Sequence, residues 1–238
     1  MRRARTWLRA LPYRGSSRYC PVCENSSRAF RPFGNPPRPQ AHCAHCYSLE
    51  RHRLVWLYFT QHTSLLDGTP KRMLHVAPEH GMEPRLRRSL GAGYVSADLM
   101  DPGVMVRIDI TDIDFPAESF DVVYCSHVLE HIPNDRQAMR EFHRVLKRDG
   151  YAVLQVPTRP GPTYEDPAIV DPRERLLAFG QEDHVRQYGD DFADRLREAG
   201  FHVQVIRAEQ VVDRADWERL GIAAAAGEIY VCTKSSMS

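Results

Sequence analysis

The chain has 238 residues, a length that allows one large domain or one domain with a small companion. Hydrophobic residues form 42% of it, as in ordinary globular proteins, and no apolar run approaches the length that crosses a membrane. The net charge is only +1, but residues 1–53 carry eleven Arg, no Lys and two acids, so a basic N-terminal part precedes an acidic remainder.

The Arg-rich N-terminal part leaves two interpretations open. It could meet an anionic partner such as RNA, or it could be a solvated basic surface that docks on the acidic remainder of the same chain. Residues 1–18 could form a short amphipathic helix through Trp7, Leu8 and Leu11, or stay without structure. The segment lacks the apolar core of a secretory signal, so we expect a cytoplasmic protein.

Two cysteine pairs form the strongest local signal: Cys20-Pro-Val-Cys23 and, nineteen residues later, Cys43-Ala-His-Cys46. Each pair can present two thiolates from one tight turn, and two such turns complete a tetrahedral zinc site. The segment between the pairs is too polar to build a core alone, so a metal would stabilise it. We predict a basic arm and a four-cysteine zinc knuckle over residues 1–47. The zinc would be structural, because no coordination position stays open to substrate.

Three alternatives for these cysteines are weaker. Disulfides are disfavoured in a cytoplasmic chain. A redox pair of the C-x-x-C type would not need a second copy. His42 and His45 could also bind the metal, but the four cysteines make them unnecessary.

A helix is predicted to follow the knuckle over residues 48–66, inside a linking segment that ends at residue 69. Ser48 is a plausible N-cap for this helix. Five apolar side chains give the helix a broad apolar face: Leu49, Val55, Trp56, Phe59 and Leu66. Asp67-Gly-Thr-Pro70 then breaks the helical pattern.

Short apolar runs alternate with helical patterns over residues 70–238. This alternation predicts an α/β domain with helices on both faces of a mainly parallel sheet. Residues 208–227 are ambiguous. Predicted strands cover residues 73–77, 94–97, 104–108, 121–125, 151–156, 201–206 and 228–233, and predicted helices cover residues 83–90, 134–147 and 190–199.

Residues 157–189 form a long and irregular segment that contains five prolines. A segment of this length inside a compact domain is usually a lid or a binding loop. We therefore predict that it covers the cleft at the strand ends.

The stretch SFDVVYCSHVLEHIPND, followed by AMREFHRVLKRDGYAVLQVP, is typical of a buried strand, a polar loop, a helix, a turn and a second buried strand. It resembles the fourth and fifth strands of class I (type 11-like) S-adenosylmethionine-dependent methyltransferases, and the resemblance extends over residues 73–157. It implies a Rossmann-like sheet of seven strands, the last antiparallel. S-adenosylmethionine would bind at the carboxyl ends of the strands.

The resemblance assigns several cofactor contacts to strand ends. An acid at the end of the second strand can accept hydrogen bonds from ribose hydroxyls, and Asp98 has this position. Asp109 resembles the acid near the adenine amine, and Leu99 and Ile110, which follow the two acids, complete this set. The alternative is that each aspartate only caps the turn that follows it.

The loop after the first strand departs from the family pattern. The usual pattern is an acid, one residue and then G-x-G-x-G. This chain has His75 at the acid, Ala77 at the first glycine and Glu79 at the second, and only Gly81 matches. We assign Ala77, Glu79 and Gly81 to the cofactor, with the Glu79 carboxylate on its ammonium group or the loop on another path. The departure leaves an altered or lost cofactor site open.

The loop after the fourth strand lies where a methyl acceptor would approach. We assign Ser126 and His127 to the cofactor, His127 also to catalysis, and Glu130 and His131 to the substrate. The structural alternatives are that Glu130 caps the next helix and that His127 bonds the loop backbone.

A second polar cluster follows the fifth strand. His184, Arg186 and Tyr188 alternate, so an extended backbone would aim all three side chains in one direction. His184 is the predicted base or orienting group, Arg186 would bind an acidic substituent of the substrate, and Tyr188 supplies a hydroxyl. The alternative is a surface loop held by its own hydrogen bonds.

These features predict methyl transfer from S-adenosylmethionine to an O, N or C nucleophile of a small molecule or glycan precursor. Two alternatives stay open. One is RNA methylation, with the basic knuckle as the RNA-binding element. The other is a module that binds S-adenosylmethionine without catalysis, because the glycine loop is altered.

Overall fold

The computed structural model describes residues 10–234. Residues 1–9, with Trp7 and Leu8 of the basic arm, and the tail 235–238 lie outside the described residues. The chain divides into two compact units, and the predicted domain boundaries at residues 47 and 69 stay predictions. The first unit comprises Met1–Thr69, Glu79–Ser89 and Arg207–Gly227, and the second comprises Pro70–Pro78, Leu90–Ile206 and Glu228–Ser238.

Strands and short helices alternate along the described part. No helix there is both long and apolar enough to span a membrane. The strands are β1 Arg18–Cys20, β2 Asn25–Ser27, β3 Arg31–Phe33, β4 Arg38–His42, β5 Met73–Val76, β6 Tyr94–Asp98, β7 Val106–Arg107, β8 Phe120–Ser126, β9 Leu146–Gln155, β10 Tyr164–Glu165, β11 Arg186–Gln187, β12 His202–Ile206 and β13 Ile229–Thr233. The helices are α1 Glu50–Gln61, α2 Glu83–Leu90, α3 Asp135–Val145, α4 Pro172–Phe179, α5 Phe192–Glu198, α6 Ala208–Val211 and α7 Trp217–Leu220.

A seven-stranded sheet forms the core of the second unit, with the order β12-β13-β9-β8-β5-β6-β7. The five strands from β9 to β7 are parallel neighbours. β13 is antiparallel to both β9 and β12. The predicted Rossmann-like sheet with an antiparallel last strand is therefore confirmed. β7 is shorter than the predicted strand over 104–108, because the Met105 amide donates to the Ser96 hydroxyl and not to a backbone carbonyl of β6.

The helix α3 shows how the second unit buries its apolar faces. Its N-cap is Asn134, whose side chain accepts a hydrogen bond from the Gln137 amide. Met139 and Phe142 are completely buried with the strands of the sheet. Burying such a side chain contributes about 1.5–3 kcal/mol. The helix ends two residues before the predicted end, because Leu146 already pairs with Phe120 as the first residue of β9.

The first unit holds two antiparallel hairpins, β1–β2 and β3–β4, and the helix α1. The predicted linking helix is present but shorter than 48–66. Its N-cap is Leu49, whose amide donates to Nδ1 of His52. Ser48 is therefore not the cap, because its hydroxyl lies among the cysteine sulfurs described below.

Arg53 is a buried centre of the first unit that the sequence did not single out. Its guanidinium is fully buried and donates to the backbone carbonyls of Ala41, Ser48 and Gly221. It also lies 4.3 Å from the ring centre of Phe30. A buried charge is costly unless it is hydrogen-bonded, and these carbonyls satisfy both terminal nitrogens of the guanidinium. One arginine of the basic N-terminal part, residues 1–53, is thus structural.

Residues 157–189 are more regular than predicted. They contain the antiparallel pair β10–β11 and the helix α4. Asp171 caps α4 at its start, and Gly180 ends it in the left-handed conformation. An N-terminal Asp cap and a C-terminal glycine are standard helix boundary signals, so this helix could have been predicted from the sequence. The helix leaves Leu177 87% exposed.

The ambiguous residues 208–227 form short helical pieces. They comprise α6, α7 and two 3₁₀ turns, Arg214–Asp216 and Ala224–Ala226. All of them belong to the first unit.

Candidate functional site

The four knuckle cysteines converge in the first unit, and no cysteine of the chain forms a disulfide. Cys20 Sγ lies 3.6 Å from Cys46 Sγ, and Cys23 Sγ lies 3.7 Å from Cys43 Sγ. Four sulfurs about 2.3 Å from a tetrahedral zinc would lie about 3.8 Å apart. The geometry therefore fits a zinc site with four cysteine ligands. His42 and His45 do not belong to this cluster.

Crowding makes these thiols ionise unequally. Hydrogen bonds from the Cys23, Cys43 and Cys46 sulfurs lower the pKa of the Cys20 thiol. The hydrogen bond with Cys20 raises the pKa of both Cys43 and Cys46. A cation at the centre of the cluster would stabilise all four as thiolates.

Two neighbours support the cysteine cluster from outside. The Ser48 hydroxyl lies 3.1 Å from Cys20 Sγ and 3.2 Å from Cys46 Sγ. A Cβ on Gly81 would lie 2.8 Å from the Cys46 carbonyl oxygen. Gly81 thus has a packing reason to be glycine. Its match to the family's glycine pattern carries no weight by itself.

The second unit contains a topological switch point between β5 and β8. The chain runs outward from β5 through β6 to β7, then returns to the opposite side of β5 as β8. In open α/β sheets, ligands bind at the carboxyl ends of the two strands that flank such a point. Here those ends are occupied by Ala77 and by Ser126 and His127.

Ala77 has the backbone conformation that explains the family's first glycine. Its φ is +49°, in the left-handed region, and its amide donates to the carbonyl of Ala97 at 2.8 Å. A residue with a Cβ is strained there by about 1–3 kcal/mol. The loop therefore keeps the turn that a glycine would make.

Replacing Ala77 with glycine should stabilise the protein by about 1 kcal/mol, because relief of the left-handed strain exceeds the added entropy of the unfolded chain. Denaturant unfolding at constant m-value measures this. Ala117 is an exposed residue outside the left-handed set and provides the control. Ala117→Gly should destabilise slightly, and a destabilising Ala77→Gly would contradict the strain argument.

Glu79 and His75 take roles that the sequence did not predict. The Glu79 carboxylate lies 3.8 Å from Nε2 of His52, within the first unit. The Glu79 carbonyl accepts from the amides of Met82 and Glu83, at the start of α2. His75 is completely buried, and its Nδ1 lies 2.8 Å from the Tyr94 hydroxyl. It is therefore part of the sheet core.

Asp98 and Asp109 each use one carboxylate oxygen to hold a turn. Asp98 Oδ1 accepts from the amides of Met100 and Asp101, at 2.7 and 2.9 Å. Asp109 Oδ1 accepts from the amide and hydroxyl of Thr111. The capping alternative is therefore correct for Oδ1. Oδ2 of each has no hydrogen-bond partner within residues 10–234 and stays available to a ligand.

The residues after these acids differ in exposure. Leu99 is exposed and lines a cavity of about 340 Å³ with Met100, Pro102 and Val104. An apolar wall beside an acid suits a flat nucleoside base. Ile110 is buried in the sheet core.

Ser126 and His127 differ in the same way. Ser126 is buried, and its hydroxyl donates to Oε1 of Gln155. The His127 backbone is left-handed with a φ of +56°, and its amide donates to the Gln155 carbonyl. The side chain of His127 is about one quarter exposed, and its Nδ1 lies 3.3 Å from Oε1 of Glu130.

Glu130, His131 and His184 are brought together, although 53 residues separate the last two in the chain. One possible ligand atom from each lies within 4.8 Å of the others. His184 is buried, its Nδ1 lies 3.2 Å from the Phe179 carbonyl, and burial lowers its pKa. It therefore stays neutral near pH 7 and is not directed at bulk solvent. Glu130 is not a helix cap, because neither of its carboxylate oxygens accepts a hydrogen bond in the described part.

Arg186 and Tyr188 are not free for a substrate. Arg186 is buried and donates to Glu165 and to three carbonyls: those of Leu129, Ile132 and Pro133. The Tyr188 hydroxyl is buried and donates to Asp135 at 2.6 Å. Their assignment to substrate binding is corrected: they hold the loop after β8.

The sequence missed the acids that complete this network. Asp135 is buried and lies 3.1 Å from Nη1 of Arg195, and Arg195 also donates to Glu165. The hydrogen bond from Arg195, above all, lowers the pKa of Glu165 to about 2. These partners lie 30 to 60 residues apart in sequence, so no local pattern announces them.

Part of the chain is similar in sequence to known methyltransferases. Residues 62–154 match the family model described as a methyltransferase domain. The uncharacterized methyltransferase YcgJ of Bacillus subtilis is 35% identical over 75 residues, 32% of this chain and 28% of that protein. The malonyl-[acyl-carrier protein] O-methyltransferase of Laribacter hongkongensis is 27% identical over 110 residues, 45% of this chain and 35% of that protein. The chain thus matches about a third of the length of these relatives.

Solved structures agree on the fold. A Bacillus halodurans C-125 protein, provisionally described as a methyltransferase, superposes with a TM-score of 0.51 at 17% identity. The match covers 77% of this chain and 99% of that one. At this identity the likeness supports the fold alone.

Proposed function

We propose, from the premise that this chain carries a class I S-adenosylmethionine-dependent methyltransferase domain, that it transfers a methyl group to an O, N or C nucleophile of a small molecule or glycan precursor. The observation that carries the proposal is the pair of Oδ2 atoms of Asp98 and Asp109, without hydrogen-bond partners in the described residues and both at the carboxyl edge of the parallel strands. Ribose hydroxyls and an adenine amine are donors that such oxygens accept.

Different residues of the second unit would bind the cofactor and take a proton from the acceptor. Asp98 would accept from the ribose, Asp109 from the adenine amine, and the exposed Leu99 would pack on the base. S-adenosylmethionine supplies an electrophilic methyl on a sulfonium. His127, at the end of β8, is the candidate to take a proton from an OH or NH acceptor. Carbon acceptors with acidic protons would also need a base to remove a proton.

We propose that the cysteine cluster holds one structural Zn²⁺. Cys20, Cys23, Cys43 and Cys46 would fill its coordination shell, so the ion would stabilise the hairpins of the first unit and take no part in catalysis. A cytoplasmic setting, in which cysteines stay reduced, would suit this metal site.

Two observations favour a small acceptor over RNA, and catalysis over a silent module. Arg18, Arg38 and Arg53 are engaged with Glu218, Glu50 and backbone carbonyls, which leaves fewer cations for phosphates. The turn at Ala77 retains the conformation that the family's glycine would give. An altered residue has therefore not altered the backbone there.

Transfer of labelled methyl groups tests the proposal. The protein is incubated with methyl-labelled S-adenosylmethionine and, separately, with extracted small metabolites, glycan precursors or total RNA. We expect label in a small-molecule or glycan-precursor pool and none with heat-inactivated protein. Labelled RNA, in an amount that falls steeply as the salt concentration rises, would show that RNA is the acceptor in place of a small molecule or glycan precursor. Bound cofactor without transfer to any pool would favour the silent module.

A further inference from the structure

We propose that Glu130, His131 and His184 form a second metal site, which binds one divalent first-row transition ion in the second unit. Their ligand atoms lie within 4.8 Å of one another. Two imidazoles and one carboxylate suit ions such as Mn²⁺, Fe²⁺, Co²⁺ or Zn²⁺, whereas Ca²⁺ and Mg²⁺ prefer oxygen ligands alone. The site is separate from the cysteine cluster of the first unit.

The Glu130 carboxylate is the strongest sign of a missing cation. The residue is only 1% exposed, and neither carboxylate oxygen accepts a hydrogen bond from residues 10–234. His127 Nδ1 lies 3.3 Å from Oε1, close enough for an ion pair but without hydrogen-bond geometry. A buried carboxylate without such partners is costly, and an ion between it and the two histidines removes the cost.

Both histidines are oriented as metal ligands are. His184 Nδ1 lies 3.2 Å from the Phe179 carbonyl, and His131 Nδ1 lies 3.2 Å from Oδ2 of Asp183. Metal-binding histidines almost always donate their other ring nitrogen to a carbonyl or a carboxylate. This pinning leaves Nε2 of each ring for the ion.

The surrounding network fixes the spacing of the three ligands. Arg186 donates to the carbonyls of Leu129, Ile132 and Pro133, which brace the turn that carries Glu130 and His131. The amide of Val185 donates to the Glu130 carbonyl at 2.9 Å, which ties the segment that carries His184 to the same turn. The site is therefore built from rigid backbone before any ion arrives.

Three protein ligands leave coordination positions for water or for an oxygen of a substrate. Two of the ligands, Glu130 and His131, come shortly after β8, at the carboxyl edge where ligands of such sheets bind. If the proposed methyl transfer holds, the ion would favour acceptors with an oxygen donor, such as a hydroxyl, because Lewis acids lower the pKa of bound hydroxyls. This last step rests on the proposed function, whereas the ion site does not.

Manganese binding tests the site directly. Protein with zinc at the cysteine cluster is titrated with Mn²⁺, and the free ion is followed by electron paramagnetic resonance. Mn²⁺ prefers nitrogen and oxygen ligands and leaves the thiolate site alone. We expect one Mn²⁺ per wild-type chain and a higher melting temperature of the bound protein. Wild-type protein that binds no Mn²⁺, Co²⁺ or Zn²⁺ beyond the cysteine site overturns the inference.

Variants identify the ligands. Glu130→Gln and His184→Ala should each weaken Mn²⁺ binding by at least about 100-fold, and Asp183→Asn by about 10–100-fold. The side chain of Asp183 is 66% exposed, so we expect Asp183→Asn to fold. It therefore tests the metal site even if the variants of the buried residues do not fold. His202→Ala removes an exposed histidine of the same unit as the matched control and should bind normally. Wild-type affinity in folded Asp183→Asn and Glu130→Gln would refute the assignment.

The same proteins separate this inference from the proposed function. Calorimetric binding of S-adenosylmethionine to Asp183→Asn should match that of wild type. Absent cofactor binding with intact Mn²⁺ binding would reject the methyltransferase proposal alone. Intact cofactor binding without Mn²⁺ binding would reject the metal site alone.

Discussion

Replacing Cys43 with serine is expected to remove the zinc and unfold the hairpins of the first unit. Cys43 is fully buried, and its sulfur faces Cys23 Sγ at 3.7 Å. Structural zinc contributes about 10–16 kcal/mol of apparent binding free energy in small zinc modules, which here would be folding free energy. Metal analysis should show the loss of the one zinc per chain that the cysteine cluster holds. Limited proteolysis should then cut between residues 18 and 42.

Cys125→Ala is the matched control for the loss of a buried thiol. Cys125 lies in β8 and outside the cluster, so the variant should keep its zinc. Acid should release zinc from the wild type, because the ligands must be thiolates. Full zinc content in a folded Cys43→Ser protein would contradict the assignment.

Replacing Asp98 with asparagine is expected to weaken S-adenosylmethionine binding while the fold persists. The asparagine can retain Oδ1, which holds the turn at Met100 and Asp101, and replaces the available Oδ2 with an amide. Loss of charge-assisted hydrogen bonds to the ribose costs about 1.5–3 kcal/mol, or roughly 10- to 150-fold in Kd. Calorimetry measures the ratio. Asp98→Ala should lose as much and also loosen the turn.

Asp101→Asn controls for charge near this site. Asp101 is exposed, and its carboxylate accepts from the Gly103 amide. It should bind the cofactor with nearly wild-type affinity. Equal Kd values for Asp98→Asn and wild type would remove Asp98 from the ribose.

The strands and α3 could be predicted because their signals are local. Seven short apolar runs mark the seven sheet strands, and the spacing of Met139 and Phe142 marks one buried helix face. The spacing of the cysteine pairs is likewise a local signal, since each C-x2-C turn presents two sulfurs to the same metal site. The strands and the helix face follow from the periodicity of apolar residues, which can be read from residues that are neighbours in sequence.

The roles of Arg186 and Arg53 could not be predicted because their partners are distant in sequence. Arg186 bonds carbonyls 53 to 57 residues away, and Arg53 bonds one 168 residues away. A polar residue in a loop after a strand looks the same in sequence whether it meets a substrate or a buried carbonyl. The cluster of Glu130, His131 and His184 was found as three site candidates, but only the fold brings their ligand atoms together.

Calorimetric titration of the purified wild-type chain with S-adenosylhomocysteine tests the central claim, that this fold holds the methyl donor. The product lacks the reactive methyl, so the heat reports binding without turnover. We predict saturable binding of one molecule per chain, displaced by S-adenosylmethionine and weakened in Asp98→Asn. A zinc-loaded, folded protein that shows no saturable binding of either molecule would contradict the account.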